Sequence, residues 1–302
     1  MTISATMVRD LRYKTGAGIM ECKAALAEAS GDPDKAVEVL RKRGLKVAEK
    51  KAGRVAADGL VAGWTSPGGD VGALGEVNCE TDFVARTDKF VGLTQSLVAL
   101  VASEPAAADV AALAARNLNG RPVADVVKEL IGSIGENIVV RRAARLALPA
   151  GAKGLVVHYL HAGGKIGVLL GLRCASDGAA KAEAVVKLAK DLALQVCSAE
   201  PAYVTRDEVP AGVLEQERDI LRAQPDLQGK PAAIQDKIIQ GRMEKFYAER
   251  CLVDQIFIRD PEGKQKVKDI VAATQKAVGE PLSLVGFARL RLGDGVEKRA
   301  AA

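Results

Sequence analysis

The sequence predicts an α+β protein in three parts: an N-terminal three-helix bundle, two duplicated α+β core subdomains, and a protruding antiparallel helical hairpin in the second. Three observations predict it. The first 53 residues hold three short apolar-periodic stretches set off by cap and turn residues. A segment of 24 residues recurs without gaps 95 positions later. Two helical stretches in the last third are split by a break rich in proline and glycine. A chain of 302 residues is long for one core, which agrees with the division.

In the bundle, Ser4 is placed to cap a first helix running toward Lys14, which TGAG (15–18) stops. A second helix spans Ile19 to Ala29 and ends at Gly31. Asp32-Pro33 gives an N-cap followed by proline at the first helical position, and Gly44 follows the last turn of the third helix. Val8, Leu11, Met20, Ala24, Leu26, Val37 and Leu40 are expected to meet inside. A bundle this small is marginally stable alone, which suits a docking module. Residues 41–54 then carry seven basic side chains against one acid, Glu49. They read as a solvated linker helix, with RNA or phosphate contact as the rival reading.

The duplication aligns GLVAGWTSPGGDVGALGEVNCETD (59–82) with GLVVHYLHAGGKIGVLLGLRCASD (154–177), with nine identities. Each copy reads as strand, glycine turn, strand and helix. The helices repeat an amphipathic face, Phe90, Leu93, Leu97 and Leu100 in one and Val185, Leu188, Leu192 and Val196 in the other. In the second copy, helical stretches from Val213 to Ala223 and from Ala232 to Arg250 flank QPDLQGKP (224–231), the hairpin. A helix over Lys266–Val278 and a strand over Ser283–Leu292 follow, and EKRAAA (297–302) is expected to fray. The boundaries are therefore 1–54 for the bundle with its basic linker, 55–147 for the first core subdomain, and 148–302 for the second. The hairpin occupies about 211–252.

Composition excludes several classes. No apolar run approaches the roughly 20 residues of a membrane span, and the first residues do not read as a secretory signal. Five scattered cysteines without CxxC argue for reduced thiols in a cytoplasm, not for disulfides or zinc. A net charge of +5 permits an acidic partner but does not demand nucleic acid. AGGKIG (162–167) fails as a phosphate loop and aligns with a hairpin turn, and TGAG lacks the preceding strand of a dinucleotide site. His158 and His161, three apart on a strand, point to opposite faces, which is poor geometry for one metal. Cys79 and Cys174 hold equivalent strand positions, as packing thiols do, and Glu80/Asp82 is too ordinary a pair to imply acid–base work. A binding protein without metal, cofactor or catalytic residues is the reading that remains.

Comparing the copies locates its site. Phe90 aligns with Val185 and is a core position in both. Phe83 aligns with Gly178, so that corner folds without any side chain there. An aromatic beside an acid at a helix corner is then an interface anchor, with packing over the linker as its alternative. Asp82, shared as Asp177, is expected to cap the helix.

Four stretches resemble the bacterial elongation factor Ts family: LRYKTGAGIMECKAAL (11–26), EVNCETDFVAR (76–86), IGENIVVRR (134–142) and GKPAAIQDKIIQGRMEKF (229–246). The resemblance implies a ubiquitin-associated-like bundle, paired core subdomains and a coiled-coil hairpin. It implies a cytoplasmic exchange factor that binds elongation factor Tu, GDP-bound or nucleotide-free, and promotes loss of GDP. On that likeness Asp82 and Phe83 meet the partner's nucleotide-binding domain, Phe83 wedging between its helices to disturb the phosphate loop and magnesium site. Arg12, Ile19, Met20 and Lys23 lie against the same domain, and Lys51 is set with these contacts. Ile134, Gly135 and His161 grip a more distant domain, with Ile258 at the edge where the family has valine; Arg259 stands where relatives can carry methionine. No membrane and no direct nucleic-acid contact are implied, and self-association is left open. A ribosome- or RNA-associated protein using the basic linker is the alternative.

Overall fold

The computed structural model describes residues 3–297; the predicted fraying of 297–302 lies outside them except for Glu297. Ser4 caps α1 (Ala5–Thr15), its side chain accepting from the Met7 N–H, and Gly16 closes it in the left-handed region. α2 (Ile19–Glu28) follows. Asp32 caps α3 (Pro33–Lys51), which runs straight through Gly44. That corrects the expected stop. Gly44 is buried because α3 crosses a later helix there, and a Cβ on the facing Gly132 would lie 2.4 Å from the Gly44 Cα. The basic stretch is thus mostly the last turns of a docked helix. Met20 and Ala24 are also corrected: both are exposed, because Cys22, Ala25, Leu26 and Ala29 carry the buried face of α2.

The first core subdomain runs β1 (Asp58–Thr65), β2 (Val71–Cys79), α4 (Asp82–Ala85), α5 (Asp88–Ser103), α6 (Val110–Ala114), the two-residue pair β3 (Asn117–Leu118) and β4 (Arg121–Pro122), α7 (Val123–Ile134) and β5 (Ile138–Ala147). The second runs β6 (Lys153–His161), β7 (Ile166–Cys174), α8 (Asp177–Lys181), α9 (Glu183–Ala199), the hairpin α10 (Ala211–Arg222) and α11 (Ala232–Arg250), α12 (Val267–Val278) and β8 (Leu282–Arg291). Both sheets are antiparallel, in orders β1-β2-β5 and β6-β7-β8.

β5 was invisible to the duplication as first aligned. α7 and β5 repeat as α12 and β8 at an offset of 144, with Gly135 and Gly279 closing the two helices alike. Both central strands carry a bulge at equivalent places, Glu76/Val77 and Gly171/Leu172. The difference between the two offsets is the inserted length, and the hairpin lies in it. The hairpin packs its own small core of Leu221, Leu227, Ile239 and Met243. At its root Arg206 pairs with Asp254 and Glu244 and lies over the Tyr247 ring.

Side chains alternate along the central strands and sort the layers. Ala73, Val77 and Cys79 face α5, while Leu74 faces the other sheet; Val168, Leu170, Leu172 and Cys174 face α9, while Leu169 faces back. The order is helix, sheet, sheet, helix. Phe90 and Val185 are fully buried under their respective sheets. Glu76 is fully buried and accepts from Arg141, Arg142 and the Gly293 N–H. The second copy has Gly171 there.

Gly132→Ala drives a methyl into the α3 backbone, so a destabilisation of about 1–3 kcal/mol is expected in urea unfolding. Removing the Glu76 carboxylate takes the counter-charge from Arg141 and Arg142, which keep only the Asp294 and Arg291 carbonyls, and Glu76→Ala should cost about 3 kcal/mol in the same measurement.

Candidate functional site

The corner 80–83 is held from below. Thr81, in extended backbone, caps α4 by accepting from the Val84 N–H. Its own N–H and hydroxyl both donate to the Glu136 carboxylate, at 3.0 and 2.7 Å. Glu80 accepts from the Asn137 N–H at 2.7 Å, and the Asn137 side-chain amide donates to the Arg54 carbonyl. The residues GEN (135–137) after α7 therefore staple the corner to the end of the helix. The second copy repeats the cap: Ser176 caps α8 and donates to Glu280. Asp82 is not the cap. It sits in the first turn, where the helix dipole favours an anion, and pairs with Arg86 at 2.7 Å. Phe83, next to it, is 80% exposed, on a backbone that has no freedom to fold it away.

The bundle presents a second apolar patch. Arg12, Ile19, Met20 and Lys23 line one groove of about 450 Å³ with Ile3 and Val8. Ile19 is 54% and Met20 73% exposed. Gly16, three residues before Ile19, accepts a hydrogen bond from Lys89, six residues after Phe83, so the two patches are tied through one contact.

The remaining expected contacts divide. Ile134 and Gly135 end α7 immediately before Glu136, which places them beside the Phe83 corner. His161 stands at the end of β6, its ring bonded to the Tyr159 hydroxyl. Among the described residues no hydrogen bond or ion pair joins it to Ile134 or Gly135. Ile258 is exposed on the loop before α12, its N–H donating to the Gln195 side chain, and Arg259 pairs with Asp191. Lys51, half-buried, ends α3. Glu136, Thr81 and Lys89 escaped the sequence reading. The signal for Glu136 was present in the sequence: IGEN…ARL aligns with VGEP…ARL at the second offset.

The thiols and histidines are placed as packing and hydrogen-bonding groups. All five thiols are buried. Burial pushes Cys79 up to about 12 and Cys251 to about 11, and the Cys79 thiol donates to the Thr81 carbonyl. His158 bonds Thr65 while His161 bonds Tyr159, and no group of three or more metal-ligating side chains exists among the described residues.

Sequence relationships show the family of the chain. The family model described as elongation factor TS matches residues 80–294, most of the chain. The chain belongs to the elongation factor Ts family. It is 43% identical over 301 residues to elongation factor Ts of Magnetococcus marinus, covering 99% of this chain and 95% of that protein. It is 42% identical over 298 residues to the factor of Clostridium perfringens strain SM101, covering 98% and 95%. The factor of Clostridium kluyveri matches at 39% over 300 residues, with the same coverage. No helix among the described residues is long and apolar enough to cross a membrane.

Thr81→Val removes the cap and the hydroxyl's bond to Glu136 together, leaving the main-chain bond, and a loss of about 1–2 kcal/mol is expected in urea unfolding. At pH 8 the raised thiols should stay unreactive toward a disulfide reagent in the native chain, and react fully once it is unfolded.

Proposed function

We propose that the chain is a translation elongation factor of the cytoplasm that binds elongation factor Tu and promotes release of GDP so that GTP can bind. Phe83 is the wedge, supported by Asp82. Arg12, Ile19, Met20 and Lys23, with Ile134, Gly135 and Lys51, extend the contact on the nucleotide-binding domain, and His161 and Ile258 reach a further part of the partner. The observation that carries this reading is Phe83, exposed on a corner stapled by Glu136 where the duplicated fold manages with Gly178.

A large apolar side chain held out into water on a braced corner has no evident use to the fold, and burying it in a partner gains roughly 1.5–3 kcal/mol. The braced corner loses little entropy on docking, so most of that gain is kept. The factor needs no bond chemistry, because the work is done by linkage. A factor that binds best to nucleotide-free partner weakens nucleotide binding, and nucleotide weakens the factor's binding by the same ratio. GTP entering the emptied site then displaces the factor.

In stopped-flow release of a fluorescent GDP from elongation factor Tu, substoichiometric chain should accelerate release. Phe83→Ala should slow that release about tenfold or more, the scale of a truncated anchor, with the melting temperature nearly unchanged. Normal release with this variant would eliminate the wedge, and a large fall in melting temperature would make Phe83 a packing residue.

A further inference from the structure

We propose that Lys89 is a positioning residue that fixes the separation between the bundle's apolar patch, Ile19 and Met20, and the Phe83 corner, a role that rests on the exchange reading above. Its ammonium donates to the Gly16 carbonyl at 3.1 Å. Gly16 closes α1 in the left-handed region, at φ 67°, and a Cβ there would lie 1.9 Å from the Lys89 nitrogen. The turn is therefore built without a side chain, and the ammonium lies where one would be.

Two facts indicate that this lysine does not serve its own helix. Lys89 is the second residue of α5, after the Thr87 N-cap and Asp88. A helix N-terminus is the positive end of the dipole, so a cation there is locally unfavourable. The equivalent position in the second copy is Ala184, at the start of a longer helix, so the duplicated fold does not require a lysine. Lys89 thus belongs with Phe83, opposite Gly178, among the residues that only the first copy adds.

What the contact adds is a second point of attachment. The bundle meets the core along α3, which crosses α7 at Gly44 and Gly132, pairs Arg41 with Asp125 and packs Ala48 into the first core, with Arg54 just beyond it bonded to Asn137 and Glu80. Contacts strung along one helix restrain rotation about that helix least. Lys89 joins a different part of the bundle, the α1–α2 turn, to a different element of the core, and so restrains that rotation. A partner that meets both patches at once gains from having them pre-set, because the second contact then forms at high effective concentration.

The full-length chain, Lys89→Met and Lys89→Arg are compared in release of fluorescent GDP from elongation factor Tu over a range of chain concentrations. Lys89→Met should raise the half-saturating concentration about threefold, the scale of one exposed charged hydrogen bond, and leave the maximal release rate within about twofold. Lys89→Arg should restore the half-saturating concentration. Met20→Ala and Phe83→Ala should be coupled in the parent chain and additive in the Lys89→Met background. Amide hydrogen exchange of residues 15–20 in the free chain should quicken in Lys89→Met and not in Lys89→Arg. Unchanged half-saturation in Lys89→Met overturns the positioning role. So does raised half-saturation with unchanged amide exchange, since Lys89 would then be touching the partner itself. If the parent chain fails to accelerate release, the exchange reading falls and this role falls with it.

Discussion

Everything in the core depends on two sheets lying close enough for their backbones to bond. The turn of each hairpin reaches across to the other sheet: the Val61 N–H donates to the Gly164 carbonyl at 2.8 Å, and the Val156 N–H donates to the Gly69 carbonyl at 2.6 Å. These are one bond made twice, since the residues correspond at the offset of 95. Within each sheet the correspondence repeats: the Leu148 N–H donates to the Asp70 carbonyl and the Leu292 N–H to the Lys165 carbonyl, each one rung past the end of its ladder. Close approach requires that side chains be missing between the sheets. A Cβ on Gly72 would lie 2.8 Å from both Val156 and Leu169, and one on Gly167 would lie 2.6 Å from Val61 and 3.0 Å from Leu74. The duplication in the sequence is thus a two-fold relation in space, held by main-chain bonds and by the apolar cluster of Val61, Leu74, Leu169 and Leu290 between the sheets.

That symmetry makes the departures from it informative. A residue present in both copies serves the fold, as Phe90 and Val185, Thr81 and Ser176, and Glu136 and Glu280 do. A residue present in one copy only has to be explained otherwise. Phe83 against Gly178 and Lys89 against Ala184 fall within a few residues of one corner. Glu76 against Gly171 is the internal exception, and its partners show why: it takes the Gly293 N–H together with Arg141 and Arg142 of β5, so it latches the segment after β8 onto the first sheet. Asymmetry in the interior is spent on closure, and asymmetry on the surface on contact.

Much of this was legible in residue order. Caps and glycines placed α1 and α2, and the gapless repeat gave both hairpins, both long helices and the separation of Phe83 from Phe90. What escaped was what only tertiary packing determines. Gly44 read as a helix end because glycine usually punctuates, yet here it permits a helix crossing. Met20 read as core because it is apolar, although the register set by Cys22, Ala25 and Leu26 turns it outward. β5 and Glu136 escaped because the insertion of the hairpin shifts the offset midway through the second copy, so a search at a single spacing ends at Asp177. Lys89 could not have been found at all, since its partner is a main-chain carbonyl 73 residues away.

Magnitudes explain why an exchange surface of this kind needs more than its wedge. Full burial of one phenylalanine gains roughly 1.5–3 kcal/mol, and linkage lets that gain weaken nucleotide binding by no more than the same amount, about ten- to 150-fold. A guanine nucleotide held with magnesium in a phosphate loop binds far more tightly than such a factor can offset. The remainder has to come from other contacts made in the same act of binding, and on this chain Ile19 and Met20 are exposed apolar side chains joined to the corner's neighbouring helix through Lys89. Contacts add in this way only if the backbone holds them ready together, because each degree of freedom left to be frozen on docking subtracts from the sum. On the proposed reading, the bracing of the corner by Glu136 and of the bundle turn by Lys89 is therefore as much part of the exchange surface as the side chains that would meet the partner.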